Sequence, residues 1–168
     1  MSPKDSRQVY AVTKTAKLYT FLTNTNTNPN NSANIEANFA VDNWTDLNIV
    51  LKDLQIGDNY RGFVIIPSDG SMFLTTDHVI ARSPDHGITW EKLNLLPSEK
   101  DSIIRTMAVN PLDSKQIYYA TNLTFFRSID GGATWSNKKL PTSRGALFIT
   151  IDYKNPSNIY LGVNEIGN

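Results

Sequence analysis

The chain has 168 residues, in which 16 Lys and Arg balance 16 Asp and Glu, and it contains no cysteine. The lack of cysteine excludes disulfide frameworks, thiol nucleophiles and thiolate metal sites, and the zero net charge gives no reason to expect a nucleic acid or an anionic membrane as a partner. No stretch approaches the roughly 20 apolar residues that a membrane-spanning helix needs, so direct membrane insertion is not expected.

The front of the chain predicts an incomplete group of strands. Val9–Thr13 and Leu18–Leu22 are rich in β-branched and aromatic residues and are predicted as the second and third strands of a group that lacks its first. Thr23–Asn34 is polar and of low complexity, so it cannot bury apolar area and is predicted as a loop. Leu47–Leu54 is the only helical candidate.

Two complete groups of four short strands follow, each punctuated by Gly, Pro, Asn and Asp. They comprise Phe63–Ile66, Met72–Thr75, Val79–Arg82 and Thr89–Lys92, then Arg105–Val109, Ile117–Thr121, Phe125–Ser128 and Thr134–Lys138. A last group begins with Leu147–Ile151 and Ile159–Val163. The sequence therefore predicts one all-β domain over residues 1–168, with strand groups in about 3–54, 60–96, 102–141 and 145–168.

A nine-residue motif occurs twice in these groups. Arg-Ser-Pro-Asp-His-Gly-Ile-Thr-Trp ends at Trp90, and Arg-Ser-Ile-Asp-Gly-Gly-Ala-Thr-Trp ends at Trp135, 45 residues later. That offset matches the length of a four-stranded propeller blade. A degraded copy, with an Asp and a Trp at the wrong spacing, lies at Ala40–Thr45.

Each full copy is predicted to form the hairpin turn between a third and a fourth strand. The Asp is expected to accept backbone N–H groups two or three residues on, with the Ser doing so more weakly. The Gly supplies a positive φ, and the Trp buries its ring between neighbouring blades. These structural positions are Ser83, Asp85, Gly87 and Trp90, and Ser128, Asp130, Gly132 and Trp135.

Two further expectations concern residues within this motif. A carboxylate held by backbone donors has a lowered pKa, so neither Asp85 nor Asp130 is expected to act as a general acid or base. His86 occupies a variable position of the motif and is expected at the surface. No catalytic residue, metal site or cofactor is predicted.

The motif Ser-x-Asp-x-Gly-x-Thr-Trp resembles the Asp-box, or bacterial neuraminidase, repeat. Asn110–Tyr118 and Asn155–Tyr160 resemble the variety of this repeat found in sortilin-type receptors, xyloglucanases and photosystem II assembly factors. The resemblance covers residues 60–163 well and residues 1–59 loosely. It implies an extracellular or periplasmic β-propeller, or propeller fragment, of about three to four four-stranded antiparallel blades.

Because propellers usually have about four to eight blades, three arrangements stay open. The chain is a piece of a larger propeller, a homodimer completes the ring, or the C-terminal strands lie beside Val9–Thr13 and close the ring within one chain.

Function has to be argued from residues, because the same repeat is found in hydrolases, receptors and assembly factors. No Tyr–Glu nucleophile pair and no spaced pair of carboxylates is evident, although glycosidases need two carboxylates on either side of a cleft. The sequence favours a non-catalytic binding or scaffold module for a protein or carbohydrate ligand. A glycoside hydrolase or sialidase-like propeller with an incomplete site is the alternative, and a purely architectural module is a third.

Three arginines are the candidate ligand-binding residues of such a module. Arg61, Arg105 and Arg144 each lie at or just before the first strand of a strand group. Antiparallel geometry puts them at the end of the blade away from the Asp boxes, near the central channel. Guanidinium groups that converge there could hold a carboxylate, a sulfate or an acidic loop. The competing interpretation is that the three are solvated or paired internally.

Overall fold

The computed structural model describes residues 8–22, 44–47, 51–52, 54–57, 59–96 and 103–164. Thirteen strands lie within them, and the predicted all-β class is confirmed. Their bounds are β1 Gln8–Val12, β2 Leu18–Leu22, β3 Thr45–Asp46, β4 Tyr60–Ile65, β5 Met72–Thr76, β6 Ile80–Ser83, β7 Glu91–Lys92, β8 Thr106–Asn110, β9 Asp113–Ala120, β10 Thr124–Ser128, β11 Ser136–Lys139, β12 Gly145–Ile151 and β13 Ile159–Asn164.

The strands form four antiparallel sheets, which we call blades 1 to 4. Blade 1 has the order β1-β2-β3, blade 2 the order β4-β5-β6-β7, blade 3 the order β11-β10-β9-β8, and blade 4 only β12-β13. Within each blade, every strand pairs with the strand before it and the strand after it in the sequence, so each blade is a simple meander. In blades 2 to 4 such local pairing follows from the short turns between strands.

Some predictions about the front of the chain fall on residues outside the described ranges. The loop at Thr23–Asn34 lies there, as do residues 40–43 of the degraded motif and residues 48–50 and 53 of the helical candidate. Leu51 and Lys52 have helical geometry. Trp44 directly precedes β3, as Trp90 precedes β7. Because β1 and β2 are predicted as the second and third strands of their group, β3 corresponds to the fourth strand of a blade, and it begins in the same way as β7 of blade 2.

The fourth strands begin later than predicted. β7 begins at Glu91 rather than Thr89, and β11 begins at Ser136 rather than Thr134. The reason lies in the turns, where the backbone N–H groups of Thr89 and Thr134 bond to an Asp side chain instead of to the neighbouring strand. The extra hydrogen bonds extend each turn into the predicted strand.

The core consists of three apolar layers between consecutive blades. Blades 1 and 2 share a cluster around Leu18, Met72 and Trp90. Blades 2 and 3 share another around Phe73 and Tyr119, and a third, containing Tyr118, Ile149 and Leu161, joins blades 3 and 4. Both faces of β5 are covered in this way, which explains why all five of its residues are buried.

Side-chain hydrogen bonds also cross from blade to blade. They run from Ser114 Oγ to Asp69 Oδ2 (2.6 Å), from Trp135 Nε1 to the Asn94 carbonyl (2.9 Å) and from the Ile149 N–H to Thr106 Oγ1 (3.0 Å). Burial alone would raise the pKa of Asp69, but the bonds from Ser114 and Ser71 lower it. Blades 2, 3 and 4 are therefore held to one another by polar as well as apolar contacts.

Ring closure within one chain is not observed among the described residues. β1 and β13 belong to separate sheets, and neither pairs with the other. The arrangement with the C-terminal strands beside Val9–Thr13 is therefore wrong for this structure, which shows an open row of blades. In the part of the chain that is described, no helix is long and apolar enough to span a membrane.

Candidate functional site

The first strands of blades 2, 3 and 4 begin at the same end of their sheets. Arg61 lies in β4, Arg105 directly precedes β8, and Arg144 directly precedes β12. In the antiparallel register Tyr60 faces Thr76, so this end also carries the loops between second and third strands. The two copies of the nine-residue motif, which we call the first and second Asp box after the repeat that they resemble, form turns that join third to fourth strands and lie at the opposite end. We call the end that carries Arg61, Arg105 and Arg144 the arginine end.

Arg61 forms an ion pair within its own blade. Its Nε donates to Asp77 Oδ1 at 2.5 Å, and Asn59 Nδ2 donates to Asp77 Oδ2 at 2.7 Å. Burial alone would raise the pKa of Asp77, but the bonds from Asn59 and Arg61 lower it. Asp77 therefore stays ionised, fixes one edge of the guanidinium group and offsets its charge.

Arg105 is held at the same position by a neutral partner. Its Nε donates to Asn122 Oδ1 at 2.7 Å, and Asn122 follows the second strand of blade 3 as Asp77 follows that of blade 2. Because an amide carries no charge, Arg105 is oriented without being neutralised by it. Arg144 is exposed, and its backbone N–H donates to Thr142 Oγ1 at 3.1 Å.

Sequence reasoning missed Asp77 and Asn122. A signal was present, because each is a short polar residue just after a second strand, 16 or 17 residues beyond its arginine. A search for acceptors at the second-to-third-strand loop would have found both. The structure thus adds two positioning residues to the arginine end.

The first Asp box is closed by three side chains. Ser83 Oγ accepts the Gly87 N–H at 2.7 Å and donates to Asp85 Oδ1 at 2.9 Å. Asp85 accepts the N–H of Thr89 at 2.8 Å and its hydroxyl at 2.6 Å. The expectation that the Asp would accept from two or three residues on was wrong, because its carboxylate spans the whole turn to the fourth residue beyond it.

The second Asp box repeats this geometry. Ser128 Oγ accepts the Gly132 N–H at 2.8 Å and donates to Asp130 at 2.8 Å. The Thr134 N–H and hydroxyl lie 2.9 and 2.5 Å from the Asp130 carboxylate. In both turns the serine hydroxyl accepts the N–H of the glycine and donates to the Asp carboxylate, a larger role than the weak one expected for it.

The hydrogen bonds in the second box hold its carboxylate ionised. The Thr134 hydroxyl and N–H, followed by Ser128, lower the pKa of Asp130 to about 2. The Thr89 hydroxyl and N–H lower the pKa of Asp85 in the same direction. A carboxylate with so low a pKa is a poor proton donor or acceptor near neutral pH, which fits a turn-forming role.

The substitution Asp130→Asn is expected to remove a pH-dependent part of the stability. Since the pKa of Asp130 is depressed in the folded state, its contribution is present above the ordinary value of 3.8 and is lost as pH falls toward about 2. Urea-unfolding midpoints measured across this range should therefore differ most between the native chain and the variant at high pH and converge at low pH. Curves that stay parallel throughout would contradict the assignment.

The glycines and tryptophans of the boxes complete the turns. Gly87 and Gly132 have φ values of +89° and +93°, a region that strains other residues. Trp90 is 9% exposed and donates its indole N–H to the Gly87 carbonyl. Trp135 is half-buried and meets the ring of Tyr119 edge-on, with centroids 4.9 Å apart.

The expectation that His86 would lie at the surface was wrong. The residue is half-buried, with its ring over Gly70, where an added Cβ would meet it at 2.0 Å. Its φ of 61° directs the side chain toward the turn between β4 and β5. Among the described residues no cluster of three or more His, Cys, Asp or Glu side chains could hold a metal ion.

Comparison with known proteins identifies the fold. No family model and no curated protein matches the sequence. Among solved structures, YCF48 bound to a D1 peptide is 16% identical (TM-score 0.63; 96% of this chain, 46% of that one). The GH74 xyloglucanase from Xanthomonas campestris is 18% identical, with a TM-score of 0.63 over 98% of this chain and 27% of that one. The extracellular domain of BT4673 from B. thetaiotaomicron is 9% identical, with a TM-score of 0.63 over 94% of this chain and 18% of that one.

These similarities show a β-propeller fold for the chain, which spans less than half of the length of each of these solved chains. The open row of blades agrees with a propeller fragment. At identities this low the likeness carries no more than the fold.

Proposed function

We propose that this chain is a non-catalytic binding module that recognises an acidic peptide or protein segment at the arginine end. The observation that carries the proposal is the repeated placement of an oriented arginine at the start of successive blades. Arg105 carries it furthest, because the neutral Asn122 orients its guanidinium through Nε at 2.7 Å and leaves its charge for a ligand. Bidentate guanidinium–carboxylate contacts are the strongest polar contacts available to such a surface.

The fold neighbours support a binding role at a coarse level. YCF48 was solved with a D1 peptide bound, and the BT4673 domain is extracellular. By analogy we place this chain outside the cytoplasm and give it a protein ligand in preference to a carbohydrate. An architectural module would need no oriented, exposed charge at one end of the blades.

The test measures binding of a fluorescent octapeptide of alternating glutamate and serine to the native chain. The double variant Arg105→Gln/Arg144→Gln should weaken this binding by roughly tenfold or more, since two charge-assisted contacts are lost. Arg61 is left intact, because its removal would strip Asp77 of its partner and confound folding with binding. The matched control is Lys115→Gln/Lys154→Gln, which removes two exposed charges from the opposite end of the blades and should leave affinity unchanged.

Equal losses in the two double variants would reduce the effect to net charge and sink the proposal. If the native chain binds a neutral oligosaccharide and not the peptide, the ligand of this site is a carbohydrate and the proposed peptide ligand is wrong. Turnover of chromogenic glycosides by the native chain would replace the proposal with the hydrolase alternative. Binding is measured only on variants whose thermal unfolding curves show that they are folded.

A further inference from the structure

One position recurs in the loops between second and third strands at the arginine end. In blades 1, 2 and 3 a threonine at the start of this loop donates its N–H to a carbonyl on the far side of the loop. The donors are Thr13, Thr76 and Thr121, at 2.8, 2.9 and 3.0 Å. The residue after the threonine therefore has the same place in each blade, and it is Lys14 in blade 1, Asp77 in blade 2 and Asn122 in blade 3.

The backbone of this position also contacts the next blade. The Lys14 carbonyl accepts the Tyr60 N–H at 3.1 Å, and the Asp77 carbonyl accepts the Ile104 N–H at 2.8 Å. Tyr60 and Ile104 directly precede Arg61 and Arg105. The Arg61 and Arg105 sites therefore lie on neighbouring blades with Asp77 between them, and a ligand that crosses this end of the blades meets both.

The two sites differ in the charge of the acceptor that holds the arginine. Arg61 Nε donates to the Asp77 carboxylate at 2.5 Å, and Arg105 Nε donates to the Asn122 amide oxygen at 2.7 Å. The geometry is nearly the same, but one acceptor is an anion and the other is neutral. Among the described residues Arg61 has an ion pair with Asp77, and Arg105 has none.

A carboxylate ligand would experience these two sites differently. At Arg61 it would approach Asp77, whose two oxygens already accept from Asn59 and Arg61, and the like charges would repel each other. At Arg105 the acceptor is an amide, so the guanidinium group keeps its charge for the ligand and no repulsion opposes it. Blade 2 is therefore closed to an acidic side chain, and blade 3 is open to one.

We propose that the residue at this position decides which blade receives an acidic side chain, with Asn122 opening blade 3 and Asp77 closing blade 2. The inference rests on the proposed function, because it concerns the same arginine end and specifies the ligand further. The partner is a segment that places an acidic side chain over blade 3 and an uncharged one over blade 2.

The competing interpretation is that Asp77 and Asn122 only hold their arginines in place. The two interpretations can be separated by exchanging the residues. Because the same place in blade 1 holds Lys14, which is exposed, the loop accepts a cation, an anion or an amide there. The exchange should therefore leave the chain folded.

The test uses the double variant Asp77→Asn/Asn122→Asp, which keeps the net charge of the native chain. The Nε–H resonances of Arg61 and Arg105 are followed by NMR as sulfate is added, since guanidinium groups bind this anion as they bind carboxylates. In the native chain the Arg105 resonance should shift at millimolar sulfate, while that of Arg61 stays in place. In the double variant the order should reverse.

A second measurement uses the acidic octapeptide described above. Asn122→Asp alone should weaken its binding by roughly tenfold, whereas Asp77→Asn alone should strengthen it, because a second arginine becomes available. The matched control is Asn158→Asp, which adds the same charge in the exposed turn between β12 and β13 at the opposite end. It should bind as the native chain does.

The two measurements separate this inference from the proposed function. Arginines that respond alike in the native chain, no response from either, or an order that does not reverse in the double variant would overturn the inference. Equal losses of affinity in Asn122→Asp and Asn158→Asp would also overturn it. If the resonances behave as expected but the octapeptide does not bind, the selection of anions by Asn122 holds and the proposed peptide ligand is wrong.

Discussion

Replacing Trp90 by alanine is expected to lower the free energy of unfolding by about 3–5 kcal/mol, the range for a large aromatic side chain removed from a core. The indole ring is 9% exposed and lies in the layer that contains Leu18 of blade 1 and Met72 of blade 2. Its removal would leave a cavity between two blades and would also free the Gly87 carbonyl from its hydrogen bond. Urea-unfolding curves of the native and variant chains measure the loss.

The matched control lies two residues away. Ile88 is in the same turn but is 71% exposed, so Ile88→Ala should change stability by no more than about 0.5 kcal/mol. If both substitutions cost the same, the layer between blades 1 and 2 would not be the source of the stability. A loss in Trp90→Ala below about 1 kcal/mol would contradict the packing described here.

Removing the serine hydroxyl from either Asp box is expected to lower stability by about 1–3 kcal/mol, the cost of leaving a buried donor unsatisfied. Ser83 and Ser128 are 0% and 1% exposed, and each accepts the N–H of a buried glycine. In Ser83→Ala and Ser128→Ala that N–H loses its acceptor, and the Asp loses a donor. The free energy of unfolding from denaturant curves again gives the measurement.

The two boxes lie in different blades and share no partner, so the double variant should show additive losses to within about 0.5 kcal/mol. The exposed Ser68 in the turn between β4 and β5 provides the control, and Ser68→Ala should have almost no effect. Losses at Ser83 and Ser128 that merely equal the loss at Ser68 would show that the hydroxyl is dispensable. The boxes would then depend on Asp alone.

The all-β class and the blades with two intact motifs could be predicted because their determinants are local. A positive φ at Gly87, a turn ending at Trp90 and short apolar runs bounded by Gly, Pro, Asn and Asp each depend on a few neighbouring residues. The fourth strand of blade 1 was harder to predict, because its motif is degraded and only Trp44 marks where it begins.

The finer chemistry depends on contacts that no short window of sequence contains. The acceptors for Arg61 and Arg105 come from another loop of the same blade, and the half-burial of His86 depends on Gly70, 16 residues earlier. Such contacts are decided by tertiary packing, and of these only the acceptors of Arg61 and Arg105, which follow the second strands, leave a signal in motif spacing.

The bond between Ser114 and Asp69 joins residues 45 positions apart, the same interval that separates the two Asp boxes. The other two side-chain bonds between blades join residues 41 and 43 positions apart, so each partner lies about one repeat earlier in the chain. Asp69 and Ser114 occupy the same position in successive repeats, so a duplicated third blade would place a second serine, and not an aspartate, opposite the new copy of Ser114. A gain or loss of whole repeats would therefore change the side-chain bonds between blades as well as the number of blades.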